Sequence, residues 1–270
     1  MSTQQKVIKY VAIALAVWLT VSIIGGILGA IGIFGTFFGN DAVEKETKMY
    51  EVSADIRSLE IEIKAADITI REGENFSVES NLKKLNVEEK NSCLSIVQKG
   101  NFRGSHDGAV LTITVPSGTL EGITLKTGAG RFTAENLAAH RIHFEFGAGD
   151  VTIGSLTATK SAHIEGGAGR VTISGGSIND LDMDMGVGQV NLTSALTGDC
   201  ELEAGVGESN INLIGTREDY TLEIEKGLGS ISVDGEKVND FGTSGNGANE
   251  VEIHGGVGSI NVNFKEESNK

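Results

Sequence analysis

A short glycine pattern recurs along the second half of this chain at a nearly constant spacing. Two glycines separated by one apolar residue stand at seven places: 128–130, 147–149, 167–169, 186–188, 205–207, 227–229 and 256–258. The successive steps between them are 19, 20, 19, 19, 22 and 29 residues long. A fixed period of this length is typical of a repeat protein, in which each unit packs on its neighbours.

The residues on both sides of each glycine pair alternate between apolar and polar. Counted from the first glycine, positions −5, −3, +4 and +6 are mainly apolar, and positions −4, −2, +3 and +5 are mainly polar. This alternation predicts strands with one buried face and one exposed face. Since one unit cannot bury its apolar face alone, we expect the units to stack, each strand pairing with its counterpart one unit away. The sequence therefore predicts an all-β, β-helix-like solenoid with repeats of about 19 residues.

The glycines of the repeat are predicted to be structural. Glycine has no Cβ, so it allows a positive φ and lets two backbones approach closely at a corner. Alanine should therefore be costly at these positions, and a β-branched residue costlier. The positions are Gly128, Gly130, Gly147, Gly149, Gly167, Gly169, Gly186, Gly188, Gly205, Gly207, Gly227, Gly229, Gly256 and Gly258.

The residues before 121 fit the same plan less closely. EIEIKAADITI at 60–70 matches the template, with Lys64-Ala65-Ala66 in place of the glycines. We predict a solenoid over 51–264, in which 51–120 forms degenerate capping units and 121–264 the regular ones.

The last two steps are longer than the others, which predicts loops inserted on one side of the late units. The glycine-rich segment from Gly242 to Gly247 is predicted to be a flexible loop. Residues 265–270 are predicted to be a polar tail, whose charges would discourage strand pairing at the C-terminal edge.

The beginning of the chain has a different composition. Residues 10–39 contain no charged side chain, and the charged residues before them are Lys6 and Lys9. A helix of that length would span about 45 Å, against about 30 Å of bilayer hydrocarbon. We predict an uncleaved, single-pass signal anchor at 10–39, either one long helix or a kinked one, with 1–9 in the cytoplasm. A linker at 40–50 would then lead to a solenoid outside the cytoplasm.

After residue 39 the chain carries 20 basic and 37 acidic side chains, a net charge of −17. Such a surface repels the phosphates of nucleic acids, so no nucleic-acid partner is expected. The two cysteines, Cys93 and Cys200, make no disulfide framework. Cys200 falls at an apolar position of the repeat, which favours a buried free thiol over a bridge to Cys93.

Acidic side chains are concentrated at two outward positions, −4 and −2. Stacked strands lie about 4.8 Å apart, and like charges at that distance repel by about 1 kcal/mol even in water. One hypothesis is a site for a divalent cation such as Ca²⁺, or for a cationic partner, and the other is a solvated acidic face without a ligand. The carboxylates concerned are Glu145, Glu165, Asp182, Asp184, Glu201, Glu203, Glu223, Glu225 and Glu252, with His143 and His163 at one end.

Several segments together resemble a known group of proteins. An I-x-I-x-x-x-x-I-x-I strand pair opens the solenoid, V-P-S-G follows at 115–118, and G-A-G-[DR]-V-T-I units recur. The segments that carry the resemblance are Leu125 to Thr133, Phe146 to Ile153, Gly166 to Ile173 and Met185 to Leu192. With the apolar N-terminal segment, they resemble the bacterial adhesin-like β-strand-repeat family, a domain of unknown function that includes LiaG-like envelope proteins. The resemblance implies a cell-envelope location and no catalytic residues.

The sequence contains no phosphate-binding loop, dinucleotide fingerprint or nucleophile elbow, so no cofactor and no catalytic residue are predicted. The leading hypothesis is a non-catalytic, membrane-anchored envelope protein that binds an envelope protein or polymer, or serves as a stress-associated scaffold. A polysaccharide-acting β-helix enzyme is one alternative, although the scarcity of aromatic residues counts against a sugar-processing groove. A solenoid scaffold that assembles with itself is the other.

Overall fold

The computed structural model describes residues 43–53, 55–100, 107–238 and 241–266. Their regular elements are β-strands and one short 3₁₀ helix, Arg217–Asp219, so the prediction of an all-β chain is confirmed for this part. The strands are β1 (Val43–Glu51), β2 (Ser58–Ala65), β3 (Asp67–Gly73), β4 (Ser77–Leu82), β5 (Leu85–Lys90), β6 (Cys93–Gln98), β7 (Val110–Pro116), β8 (Leu120–Ile173), β9 (Gly176–Asn179), β10 (Leu181–Thr197), β11 (Asp199–Ile214), β12 (Tyr220–Val233), β13 (Glu236–Val238), β14 (Phe241–Gly245) and β15 (Asn249–Lys265).

The anchor predicted at 10–39 lies outside the described residues. In the part of the chain that is described, no helix has the length and hydrophobicity that a membrane crossing requires.

The strands wind into a stack of similar turns, here called rungs, each with one glycine corner or its equivalent. Rungs pair in parallel and in register, so that Gly188 pairs with Gly169 on one side and with Gly207 on the other. Strand β8 is long because its strand conformation continues through three rungs. Ala65 pairs with Ala129, and Lys64-Ala65-Ala66 therefore takes the place of a glycine corner, as predicted.

The predicted apolar columns form the core. The side chains at positions −5, −3, +4 and +6 of all seven repeats are buried, including the less apolar Cys200 and Ser209. A third buried side, which the glycine-centred pattern did not reveal, closes the core between successive corners. It includes Leu137, Ala139, Leu156, Ala158, Ile178 and Leu196. Both cysteines are free, and Cys200 is buried as predicted.

The last two rungs are stacked in the reverse of their sequence order. β15 lies between β11 and β12 and pairs in parallel with both. The expectation that each unit pairs with the next one in sequence is therefore wrong here. The reason is a tight hairpin, because β12 turns through Asp234 and Gly235, with φ of 49° and 79°, directly into antiparallel β13. Two positive φ values in a two-residue loop are the geometry that suits a hairpin. With β13 and β14 on one edge of β12, only its other edge can accept a rung.

The opposite end of the stack has the same design. The rung of β6 and β7 lies outside the rung of β2 and β3, although it follows it in sequence. β5 joins β6 through Asn91 and Ser92, with φ of 52° and 59°, and pairs antiparallel with its outer edge. β4 covers β7 in the same way, and β1 pairs with β4. Strands from 51–120 thus lie at one end of the stack, and each end of the solenoid is closed by antiparallel strands.

Three finer boundaries differ from the predictions. The predicted linker 40–50 contains most of β1, and the predicted loop from Gly242 to Gly247 overlaps β14, because both segments find an open strand edge to pair with. The loops predicted from the longer steps are the 3₁₀ segment before β12 and the cap made by β13 and β14. Lys265, predicted to begin the polar tail, still belongs to β15 and pairs with Ile214.

Candidate binding face

The glycine corners hold neighbouring rungs in direct backbone contact. A Cβ on the first glycine of any corner would stand 2.0–2.6 Å from a carbonyl oxygen of the adjoining rung. On the second glycine the separation would be 1.6–2.2 Å, and there φ lies between +122° and +157°. Close approach is therefore seen at both glycines of a corner, and positive φ at the second. The corners are structural and carry no side chain that could do chemistry.

The nine predicted carboxylates lie on one exposed face formed by positions −4 and −2, here called the acidic face. In spatial order, position −2 presents Lys126, Glu145, Glu165, Asp184, Glu203, His254 and Glu225. Position −4 presents Thr124, His143, His163, Asp182, Glu201, Glu252 and Glu223. The side chains at one position of successive rungs form a row, here called a file. Because the last two rungs are reversed, His254 lies between Glu203 and Glu225 in its file instead of at the end. Sequence order alone placed it at the edge.

Basic side chains offset the charge repulsion at one end of this face. Lys126 contacts Glu145 at 2.5 Å, and Nε2 of His143 lies 2.7 Å from the same carboxylate. Hydrogen bonds from Lys126 and then His143 lower the pKa of Glu145, and the Glu145 hydrogen bond raises that of Lys126. Because these groups are largely exposed, their contribution to stability is small.

His254 lies among three carboxylates near the other end. Its ring nitrogens lie 3.6 Å from Glu225 and 3.7 Å from both Glu201 and Glu252. The ring therefore separates carboxylates that the sequence order alone would stack directly on one another. Among the described residues, no group of three or more His, Cys, Asp or Glu side chains is arranged to hold a metal ion. Calcium binding by this face stays a prediction.

An open groove adjoins the acidic face beside the glycine corners, with a volume of about 610 Å³. Its walls include Lys64, Lys126, Glu145, Phe146, Glu165 and Asp184. Two cavities inside the corners, by contrast, measure only about 10 Å³ and 20 Å³. These two have room for about one water molecule at most. A ligand of any size would therefore contact the outside of the stack rather than these corners.

Side chains at positions +3 and +5 form hydrogen bonds with their equivalents in neighbouring rungs. Along position +5, Asn210 donates to Asn191 at 3.1 Å, Asn261 donates to Asn210 at 2.8 Å, and Ser232 donates to Asn261 at 2.8 Å. At position +3, Arg170 bridges Asp150 at 3.6 Å and donates to Gln189 at 3.0 Å. These side chains use much of their bonding capacity within the fold, which indicates a structural role. The acidic face and its groove are the better candidate site.

The sequence profile of the Toastrack DUF4097 family, a domain of unknown function, matches residues 56–246. The match covers more than half of the chain, and the chain belongs to this family. No curated protein shows significant similarity to it.

Three solved structures are similar to this chain at low sequence identity. A "putative cell adhesion protein" from Clostridium sporogenes is 16% identical, with 82% of this chain and 99% of that chain covered and a TM-score of 0.40. A "putative adhesin" from Bacteroides fragilis is 16% identical, with 81% and 98% covered and a TM-score of 0.39. A "putative lipid binding protein" from Parabacteroides distasonis is 15% identical, with 83% and 98% covered and a TM-score of 0.44.

Proposed function

We propose that this member of the Toastrack family is a non-catalytic binding protein of the bacterial cell envelope. In this proposal residues 10–39 anchor it in the membrane by a single span, and the solenoid lies outside the cytoplasm, as in LiaG-like envelope proteins. The acidic face and its groove bind an envelope protein or polymer that carries positive charge.

The observation that carries the proposal is the contrast between a filled interior and a long, regular outer face. The buried columns run from one end of the stack to the other. Meanwhile two files of charged side chains repeat on the outside at the spacing of the strands, about 4.8 Å. A surface of this kind suits contact with an extended or repetitive partner, whereas a small substrate needs an enclosed site.

The structure also bears on the two alternatives. A self-assembling solenoid would grow by pairing one open end with another, but antiparallel strands cover both ends of this stack. A polysaccharide-acting enzyme would need a general acid and a base beside a cleft. Two carboxylates of the groove, Glu145 and Glu165, instead contact Lys126 or a histidine, which occupies them in ion pairs rather than leaving them free for acid and base catalysis.

Binding is tested with the full-length chain in lipid nanodiscs and purified envelope polymer, measured by co-sedimentation. Changing Glu201, Glu203 and Glu223 to glutamine should release the polymer. The matched control changes three exposed glutamates outside the face to glutamine, namely Glu208, Glu218 and Glu236. This variant has the same net charge and should still bind. Equal binding by the two variants, or none by the parent chain, would contradict the proposal.

Two further measurements separate the alternatives. New reducing ends in the polymer after incubation would favour the enzyme, and filaments in electron micrographs would favour self-assembly. The orientation is tested by Ser259→Cys, which places a thiol on the outside of the rung of β15. A membrane-impermeant maleimide should label this variant in intact cells, and labelling only after lysis would contradict an extracytoplasmic solenoid.

A further inference from the structure

His163 is held between two carboxylates that belong to neighbouring rungs. Its Nε2 lies 2.8 Å from Oε1 of Glu165, two residues along the same strand. Its Nδ1 lies 2.9 Å from Oδ2 of Asp182 in the next rung. Both ring nitrogens are therefore within hydrogen-bonding distance of carboxylate oxygens at the same time.

This arrangement needs a proton on each nitrogen of the ring. An ionised carboxylate can only accept hydrogen bonds, and neutral imidazole carries a single N–H. With a neutral ring, one nitrogen lone pair would face an oxygen lone pair at less than 3 Å, which is repulsive. The imidazolium form donates both bonds, and bonds between charged partners are the stronger kind.

We propose that His163 is a proton-binding clamp, which joins the rung of residues 158–173 to the rung of β10 when the ring is positively charged. When the second proton leaves, the ring keeps one carboxylate and releases the other toward solvent. This proposal concerns the fold itself and does not depend on the proposed binding function.

The surroundings of His163 favour a single charged ring at this place. The ring of His143 stacks on it with the centroids 5.1 Å apart and the planes inclined by 9°. Two imidazolium rings in that position would repel each other. His143 needs only one N–H to bond Glu145, which Lys126 also contacts. His143 therefore has one carboxylate partner, whereas His163 has two.

The other charged groups around the clamp are acidic except Lys126, which interacts electrostatically with Glu165. Asp184 pairs with Glu165 across the strands, and Glu201 pairs with Asp182. Hydrogen bonding to Glu165, followed by the bond to Asp182, raises the pKa of His163, while burial acts in the opposite direction. Because Glu165 also lines the groove, gain or loss of the proton on His163 changes the charge next to the groove wall.

The direct test follows the histidine ring protons of the full-length chain by NMR as the pH is varied. His163 should titrate above the ordinary histidine pKa of about 6.5. Glutamine substitutions, one histidine at a time, assign the signals. A His163 signal that titrates at or below that ordinary value would overturn the clamp.

A second measurement compares unfolding by urea at about pH 5.5 and about pH 8.5, on either side of the ordinary histidine pKa. Since the folded pKa is raised, the stabilisation is fully present below the unfolded value and is lost as the pH rises through the folded value. The parent chain and His140→Gln should therefore lose stability on going to the higher pH. His163→Gln and Asp182→Asn should lose less. An unchanged pH dependence in both of these variants would contradict the clamp, and the NMR titration of the parent chain decides the matter if either fails to fold.

Discussion

Gly149 provides a sharp test of how the rungs are held together, because the chain contains a matched glycine elsewhere. Gly149 lies in a corner with φ of +141°, and a Cβ there would stand 1.8 Å from the carbonyl oxygen of Gly130. Gly118 has nearly the same φ, +140°, but lies in a turn where a Cβ would meet nothing within 4 Å. Alanine at the two positions therefore meets the same backbone strain but a different steric environment.

The magnitude follows from this geometry. An unfavourable φ costs about 1–3 kcal/mol, and this cost applies to both variants. At Gly149 the neighbouring rung must also retreat by about 1.6 Å to bring the contact from 1.8 Å to an ordinary 3.4 Å. Such a shift stretches about two hydrogen bonds of the parallel ladder, each worth about 1 kcal/mol. We expect Gly149→Ala to cost about 2 kcal/mol more than Gly118→Ala.

The assay is equilibrium unfolding by urea, followed by circular dichroism, for the full-length chain and both variants in mild detergent. A fall in the midpoint at constant slope reports a loss of stability, whereas a changed slope would show that the stack no longer unfolds as one unit. Hydrogen exchange should locate the loss in the rungs next to Gly149. If the two variants have the same midpoint, close backbone contact at the corners does not hold the rungs together.

Three other outcomes are expected. Phe144→Ala removes a fully buried ring from the core and should lower the free energy of unfolding by about 3–5 kcal/mol, measured by the same assay. Asn261→Ala breaks two side-chain hydrogen bonds of the file at position +5 and should lower the free energy of unfolding by about 1–2 kcal/mol. A smaller loss would show that these hydrogen bonds do not stabilise the stack. Glu208→Cys should form a disulfide under mild oxidation with Ser259→Cys, its partner in the adjacent rung. Glu208→Cys should form no disulfide with Ser230→Cys, which lies two rungs or about 9.6 Å away. A disulfide with Ser230→Cys instead of Ser259→Cys would show that the rungs are stacked in sequence order.

The predictions succeeded where the physical cause is local and periodic. Alternating side chains and glycine corners predicted the strands, the four apolar columns and the outward position of the nine carboxylates, because strand geometry places every second residue on the same face. The corner formed by Lys64-Ala65-Ala66 could be predicted for the same reason. The third buried side was missed because its sequence varies more between repeats, and it has no glycine pair to fix its register.

The pairings within the acidic face could not be predicted from the sequence. Sequence position placed His254 last in its file, but in the structure it lies between Glu203 and Glu225. The contacts of His163 also depend on register, since Asp182 reaches its ring only because the two rungs pair with no offset.

The sequence by itself determined that this chain is a stack of β-rungs with glycine corners, a filled core and one acidic face. Only the tertiary structure decided the order of the rungs at the two ends. A signal was present in the sequence, because Asp234-Gly235 and Asn91-Ser92 are residues that accept the left-handed conformation of hairpin turns. Its consequence is not local, however. A hairpin that occupies one edge of its strand forces the remaining rung onto the other edge, and that competition for edges exists only once the sheet has formed.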